Sequence, residues 1–264
     1  MDKGIRDVFI KRHVAYLGVI GSIVVLYLIS AYFTEFSLSE GLLALPDAMG
    51  WIFTRLVPNS EAMQKLPKIL DKLFETALLS VAVTTVSATV AFGVSLFGSK
   101  TLEKGKVINQ VVRVVAAFFR NVPDVVWAML LMFSFGQNIL TGFLALFFTT
   151  FGMLTRSFIE TIDEVSGSCV EALDATGANF LQIVFQGIIP SAVTGIVTWI
   201  LYMIETNIRS STLIGMLTAT GIGYLFDMYY KRLDFAAASI VIIAIVLLVI
   251  VIEMVSNQVR KVIK

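Results

Sequence analysis

Long uncharged apolar runs alternate with short polar intervals along this chain. The first run, Val14 to Thr34, follows a basic start of Lys3, Arg6, Lys11 and Arg12. It lacks a short apolar core ending in a small-residue cleavage site, so it reads as a retained anchor. Thr76 to Gly98, rich in Val, Thr, Ser and Ala, is the second run. Val125 to Thr155 is uncharged for 31 residues. That is too long for one upright crossing, because about 20 apolar residues cover a ~30 Å hydrocarbon core. Ser134-Phe135-Gly136-Gln137-Asn138 supplies a turn in its middle and divides it in two. The earlier half begins near Val111 to Phe119 and is interrupted at Pro123, with Arg120 just ahead of the break. Phe180 to Ile204 and Phe235 to Ile252 complete the set. The pattern predicts an all-α, polytopic helical membrane protein of about six transmembrane helices.

Between these runs, residues 35–71 are mixed, with Pro46, Pro58, Pro67 and scattered charges. They read as short interfacial helices capping the bundle. This sets residues 1–71 (anchor and interfacial segment) apart from a core at 72–264. Composition agrees with a membrane protein: 57% of the residues are hydrophobic and 15% charged, against about half and a quarter in a soluble domain. A net charge of +1 implies neither nucleic acid nor an acidic surface as partner. His13 and Cys169 are the single histidine and cysteine. Their scarcity excludes an internal disulfide, a multi-Cys metal site and a His–Cys couple, and both read as bystanders. No metal or cofactor is expected. No internal repeat argues for an inverted-repeat transporter.

Six crossings put both termini on one side. Twelve Lys and Arg residues lie on that side, among them Lys100, Lys104, Lys106, Arg113, Arg156, Arg260, Lys261 and Lys264. The other side has five: Arg55, Lys65, Lys68, Lys231 and Arg232. The bias places both termini in the cytoplasm. It places there also the polar interlude at about 156–186, which carries Glu160, Asp163, Glu164, Glu171 and Asp174. A bare connector could be four residues long, and this one has internal order. Ser166 or Ser168 could cap a helix through Glu171, Ala172, Leu173, Asp174 and Ala175, and Gly177 could end it. Leu181, Val184 and Phe185 begin a second helix. Small residues on one face and acids on another suit docking into a groove on a partner subunit.

Glu171, Ala172, Gly177 and Pro190 match the coupling loop of ABC importer permeases, whose pattern is Glu-Ala-Ala, three residues, Gly, nine residues, then Ile-any-Leu-Pro. The sequence departs from it at Leu173, Gly187 and Ile189. Arg120-Asn121-Val122-Pro123-Asp124-Val125-Val126-Trp127-Ala128 is similar to the "Arg-Ser-Ile-Pro-Glu-Leu-Val-Trp-Ala" stretch of phosphonate-type permeases. Glu205 to Gly215, with Gly221-Ile222-Gly223, resembles their "Glu-Ile-Asn-Val-Arg-Ala-Ser-Thr-Val-Leu-Gly … Gly-Gly-Ile-Gly" stretch. The chain thus resembles the membrane subunit of a phosphonate ABC importer, of the type I (methionine-permease-like) fold, in a bacterial inner membrane. The resemblance implies ATP-driven uptake of phosphonate or a related small phosphorus oxyanion. It also implies two copies of a separate ATPase subunit, an external solute-binding protein and a second permease subunit, with a homodimer expected. Methionine, taurine and osmoprotectant permeases share the same core and remain alternatives, as does an ion-coupled secondary transporter. No Gly-x-x-x-x-Gly-Lys-[Ser/Thr] occurs in the chain, so it has no P-loop of its own. An intramembrane enzyme lacks a catalytic constellation here.

Ionisable residues within a span cost at least ~2.5–3.5 kcal/mol on insertion scales, which marks them as candidates for function. Glu205 and Arg209 fall on one helical face, toward the external end of the fifth span by rise per residue. They are either an ion pair pinning the helix end or, with Asn207, Ser210, Ser211 and Thr212, the lining of a translocation path and gate. Arg120 before Pro123 is either an interfacial snorkelling residue or a contact of the coupling segment. Thr218, Gly221 and Gly223 suggest an external turn packed on a partner.

Overall fold

The computed structural model describes residues 3–102, 105–165 and 167–263; Ser166, Lys104 and Lys264, invoked above, lie outside them. The fold is all-α. Contacts divide the chain into two compact units, Met1–Arg55 and Leu56–Lys264. The boundary therefore falls after Arg55 and not after residue 71. The reason is packing: Ala62 and Ile69 are already buried against Ile222, Leu225 and Val241. The first unit holds α1 (Lys3–Thr34), which contains the anchor run, and α2 (Leu38–Arg55).

The second unit opens with a single-turn helix, α3 (Ser60–Met63), capped by the Asn59 side chain. It leads into α4 (Leu66–Gly98), which starts ten residues before the expected Thr76. Pro67 supplies a preformed first turn, so the polar stretch with Lys68, Asp71, Lys72 and Glu75 is helical. Helices α5 (Lys106–Asn121) and α6 (Asp124–Phe135) meet at a bend of 86°. Val122 before the proline is extended (ψ 119°), the geometry that Pro123 imposes on its predecessor.

This bent pair crosses the bundle. Arg113 Nη2 meets Asp163 Oδ2 at 2.7 Å, near the C-terminus of α7 (Ile139–Val165). The backbone at Ala116 and Arg120 then lies over Gly152, where an added Cβ would come within 2.6 Å of the Arg120 nitrogen. Further along, the Trp127 ring packs 4.8 Å from Phe148. Finally Gln137 Nε2 donates to the Leu217 carbonyl at 3.0 Å, beside the start of α7. A re-entrant loop would return to the Asp163 end; this chain leaves at the opposite one. Among the described residues five helices are long and apolar enough to cross a membrane, and the bent pair taken as one broken span makes six.

Gly136 (φ +72°) and the Asn138 side chain, which accepts from the Thr141 amide, form the expected break before α7. That helix continues past Thr155 to Val165. Arg156, Glu160, Asp163 and Glu164 are therefore its last turns, and only the part after them is a separate segment. α8 (Gly167–Ala175) follows. Ser168 lies inside it and is not its cap. The fifth span is also longer than expected. α9 (Phe180–Gln182) passes through a π-helical stretch (Ile183–Ile188) into α10 (Ile189–Thr218). The wider π turn relieves the clash that Pro190 would make with the carbonyl four residues back. No polar break occurs at Ile204, because Asn207, Ser211 and Thr212 are bonded inside the bundle. The Gly-rich stretch after Thr218 is a turn at Ala219 (φ +57°) followed by a helix, α11 (Gly221–Lys231). A Cβ at Gly223 would meet the Thr212 carbonyl at 1.9 Å, and one at Gly221 would meet Thr76 Oγ1 at 2.4 Å, so these glycines serve packing against α10 and α4 respectively. α12 (Phe235–Ile263) outruns its expected end at Ile252.

Buried polar contacts set the register of α4, α7 and α10. Asn207 Nδ2 donates to Thr84 Oγ1 (2.8 Å), and Thr150 Oγ1 donates to Asn207 Oδ1 (3.1 Å). Ser80 and Ser211 hydroxyls meet at 3.0 Å. At the other end Lys65, just before α4, pairs with Asp234, which also accepts from the Ala237 amide and so caps α12. Burial alone would raise the Asp234 carboxyl. The Lys65 ammonium and the Ala237 amide outweigh it and hold the group below the ordinary carboxylate range.

Because the folded-state value is the lower one, this contribution is complete above the unfolded aspartate value. It is lost as pH falls through the folded one. Asp234→Asn should therefore flatten the acid limb of the melting profile of the solubilised protein below about pH 4. The effect at neutral pH should be modest, since both side chains are about one-third exposed. An unchanged acid limb would show that the contact does not contribute.

Candidate functional site

The polar segment after α7 is built from two locally encoded stops and starts. Gly177 takes φ +81°, the left-handed geometry that a side chain disfavours. Around it the Ala178 amide donates to the Leu173 carbonyl (3.1 Å) and the Gly177 amide to that of Asp174 (2.9 Å), a Schellman closure of α8. Two residues later Asn179 and Gln182 form a reciprocal capping box that opens the next helix. Sequence reading anticipated the Gly177 stop and missed the box, although Asn-x-x-Gln was its visible signal.

α8 buries one side and exposes the other. Val170 and Leu173 pack with Ile162, Ile183, Val184 and Ile188. Glu171, Ala172, Asp174, Ala175 and Gly177 face outward. Glu171 and Asp174 line a groove of about 620 Å³ whose far wall is Lys100 and Thr101. That wall is held by Asp163, which accepts from Ser99 Oγ (2.6 Å) and the Lys100 amide (2.8 Å) while paired with Arg113. Asp163 is thus an internal anchor and not one of the free acids. No sequence spacing signals it, since its partners lie 50 to 64 residues away.

The second group lies at half height in the bundle. Thr84 and Thr150, the Asn207 partners, stand near the middles of α4 and α7, so Glu205 and Arg209 lie near mid-bundle and not at the external end of α10. Arg209 Nη1 is 3.2 Å from Glu205 Oε1, with the arginine side chain 50% exposed and the glutamate 14%. A half-exposed guanidinium at that height cannot face hydrocarbon; it requires a watery cavity or another polypeptide. Ser210 is half-buried next to it. Asn207, Ser211 and Thr212 do not join this surface. All three are buried and serve helix contacts, Thr212 Oγ1 donating to the Ile208 carbonyl at 3.1 Å.

Arg260, a C-terminal cation in the sequence, places its Nη2 3.9 Å from Glu205 Oε2. Arg120 is exposed and makes no ion pair among the described residues. It lies in the last turn of α5, whose backbone packs on Gly152, mid-length in α7 and away from either end of that helix. Pro123 forms the break it was expected to form. Behind the bend, Phe119 stacks on Phe148 (5.1 Å) and Trp127 (5.6 Å).

Two departures from the importer pattern, Leu173 and Gly187, touch each other. A Cβ at Gly187 would lie 2.8 Å from Leu173 Cδ1 and 3.5 Å from Cys169 Sγ. A larger residue where the pattern has Ala is matched by a smaller one where it has Ile. Gly187→Ile should therefore overpack this joint, costing about 1–3 kcal/mol and lowering the melting temperature. Leu173→Ala combined with Gly187→Ile should recover most of the loss. Simple additivity of the two single effects would refute the exchange.

Comparison with known proteins places this geometry. The chain is 26% identical to the putative phosphite transport system permease protein HtxC of Stutzerimonas stutzeri, over 95% of this chain and 86% of that one. It is 24% identical to the phosphate-import permease protein PhnE of Mycolicibacterium smegmatis, over 79% of this chain. It spans only 39% of the length of that relative. Its fold is similar to that of a chain of the MetNI methionine ABC transporter in an inward-facing conformation. The TM-score is 0.67 at 20% identity, covering 78% of this chain and all of the other. The family model described as "binding-protein-dependent transport system inner membrane component" matches residues 90–264, and the chain belongs to that family as a multi-pass transport component of the membrane.

Proposed function

We propose that this permease carries a small phosphorus oxyanion, phosphonate or phosphite, across the inner membrane, with Arg209 facing its path. The observation that carries this is the half-exposed Arg209 at mid-bundle, held by a nearly buried Glu205. A planar guanidinium can bind two oxyanion oxygens at once. Relatives named for phosphite and phosphate support the cargo class. Ser210 accompanies Arg209, while Asn207, Ser211 and Thr212 hold the helix that presents it.

Energy enters through α8. Its exposed Glu171 and Asp174 dock on a separate ATPase subunit, and the excess of Lys and Arg on the terminal side puts this face in the cytoplasm with both termini. Two ATPase subunits require two docking helices, so two permeases, taken as a homodimer, meet at a two-fold axis. A loaded binding protein delivers cargo on the outer face.

Glu171→Lys reverses charge at the docking face. It should abolish stimulation of ATP hydrolysis by the loaded binding protein in the reconstituted importer. Normal stimulation and transport by the variant would remove α8 from this role. Arg209→Ala should cut uptake of radiolabelled methylphosphonate into proteoliposomes at least tenfold, with the complex still assembled. Uptake equal to wild type would reject the path role, and uptake of methionine or taurine in place of both phosphorus oxyanions would reject the cargo.

A further inference from the structure

Arg260 presents a buried hydrogen-bonding edge that nothing among the described residues satisfies. Its Nε and Nη2 atoms are both inaccessible to solvent and have no hydrogen-bond acceptor. Glu205 is near enough to attract the charge, at 3.9 Å, but too far to accept a hydrogen bond. Buried donors of this kind are rare and costly when left unmade. These two atoms, moreover, form one side of the planar guanidinium, the side that binds two oxygens of a single anion in parallel.

The arrangement around them is not that of a simple ion pair. One carboxylate, 14% exposed, stands between two guanidinium groups: Arg209 from its own helix, and Arg260 from the far end of α12. With all three ionised the group carries one surplus positive charge. Glu205 is also one turn, about 6 Å, closer than Arg209 to the α8 end of the rod. Arg260 approaches from that same side, since α12 starts at Asp234 beside Lys65 and runs to the opposite end of the bundle. The two cations are therefore successive along the helix and not side by side.

We infer that Arg260 is a second oxyanion station, inward of Arg209, and that Glu205 is the internal anion with which the cargo competes for both. An oxyanion with two free oxygens would take the Nε–Nη2 edge and displace the weak hold of Glu205. The return of the carboxylate would release it. A path must not trap its cargo, and a tethered competitor keeps each station weak. The inference rests on the oxyanion reading above and adds a residue, an order of passage and a means of release.

The test uses the complete importer in lipid nanodiscs, without binding protein, and follows the ³¹P line broadening of phosphite and methylphosphonate. Arg260→Gln should weaken binding of both at least tenfold. Arg260→Lys, which keeps the charge and loses the fork, should remain at least fivefold weaker. Glu205→Gln should tighten binding severalfold and slow uptake in proteoliposomes. Should Arg260→Gln fail to assemble, the Glu205→Gln/Arg260→Gln double variant removes both charges and takes its place, with the same loss expected. Wild-type affinity in the Arg260 variants overturns the station, as does weakened binding in Glu205→Gln, which would mark the cluster as a structural pair. No broadening with the wild-type importer overturns it as well. Failure of the cargo reading is separate: it shows as no ATP-driven uptake of either oxyanion, while Arg260-dependent broadening persists.

Discussion

A carboxamide buried among three helices in a bilayer has no water to bond if its protein partners move away. Asn207 meets this constraint by donating to Thr84 of α4 and accepting from Thr150 of α7, and neither contact survives a slip of one helix along another. Thr84 in turn donates to the Ser80 carbonyl (2.7 Å), and Ser80 meets Ser211 one turn further along α10. Interhelical hydrogen bonds in membranes average under about 1 kcal/mol, so the value of this set lies in register more than in stability. With Asn207 fixed inward, the helical repeat of about 100° per residue turns Arg209 well away from that contact. The buried amide is thus the reason a charged side chain stands exposed at half height.

The same height is where the third span breaks. The backbone of Arg120 lies over Gly152, two residues from Thr150. A proline break in hydrocarbon would leave carbonyls unsatisfied, and such breaks are tolerated where neighbouring helices or a cavity surround them. Here the Phe119, Trp127 and Phe148 rings close one side, while Arg120 and Pro123 stay open on another. Discontinuous helices near the middle of a bundle are a frequent setting for transported ions. Two interruptions of ordinary membrane architecture, the charged cluster and the broken span, occur at one level along α7.

What could be read from the sequence follows from what apolar patterning encodes. Crossings were legible because bilayer thickness sets their length, and the stop at Gly177 because it depends on its own backbone. The ends of α4, α7, α10 and α12 were not, because a charged residue does not by itself mark an exit from the membrane. Asp163 and Glu205 instead remain helical, paired with Arg113 and with Arg209 and Arg260. Pairing across 50 or more residues leaves no local trace. Arg260 was invisible for that reason, and so was the link between Leu173 and Gly187: each looked like a mismatch when read alone. The sequence offers Asn207, Ser211 and Thr212 as path lining, yet they are buried, and periodicity by itself does not say whether a polar face meets water or other helices.

The continuous course from Phe180 to Thr218 joins the two candidate regions mechanically. Thirty-nine residues at 1.5 Å each make a rod of about 58 Å. Its first turn is fixed by the Asn179–Gln182 box, and Glu205 and Arg209 stand about two-thirds of the way along it. α8 is keyed to this rod through Leu173 and Gly187, at the π-helical stretch just before Pro190. A π turn is where a helix yields most readily, since its hydrogen bonds are least regular. In the proposed coupling, a pull on α8 therefore acts on the rod beside its softest point. The stiff part beyond pivots about the Asn207 contacts with Thr84 and Thr150. A pivot there moves Glu205 and Arg209 little in height but changes their angle to α12, and hence the distance between Glu205 and Arg260. At 3.9 Å that contact sits just beyond hydrogen-bond length, where a small rotation either makes it or breaks it.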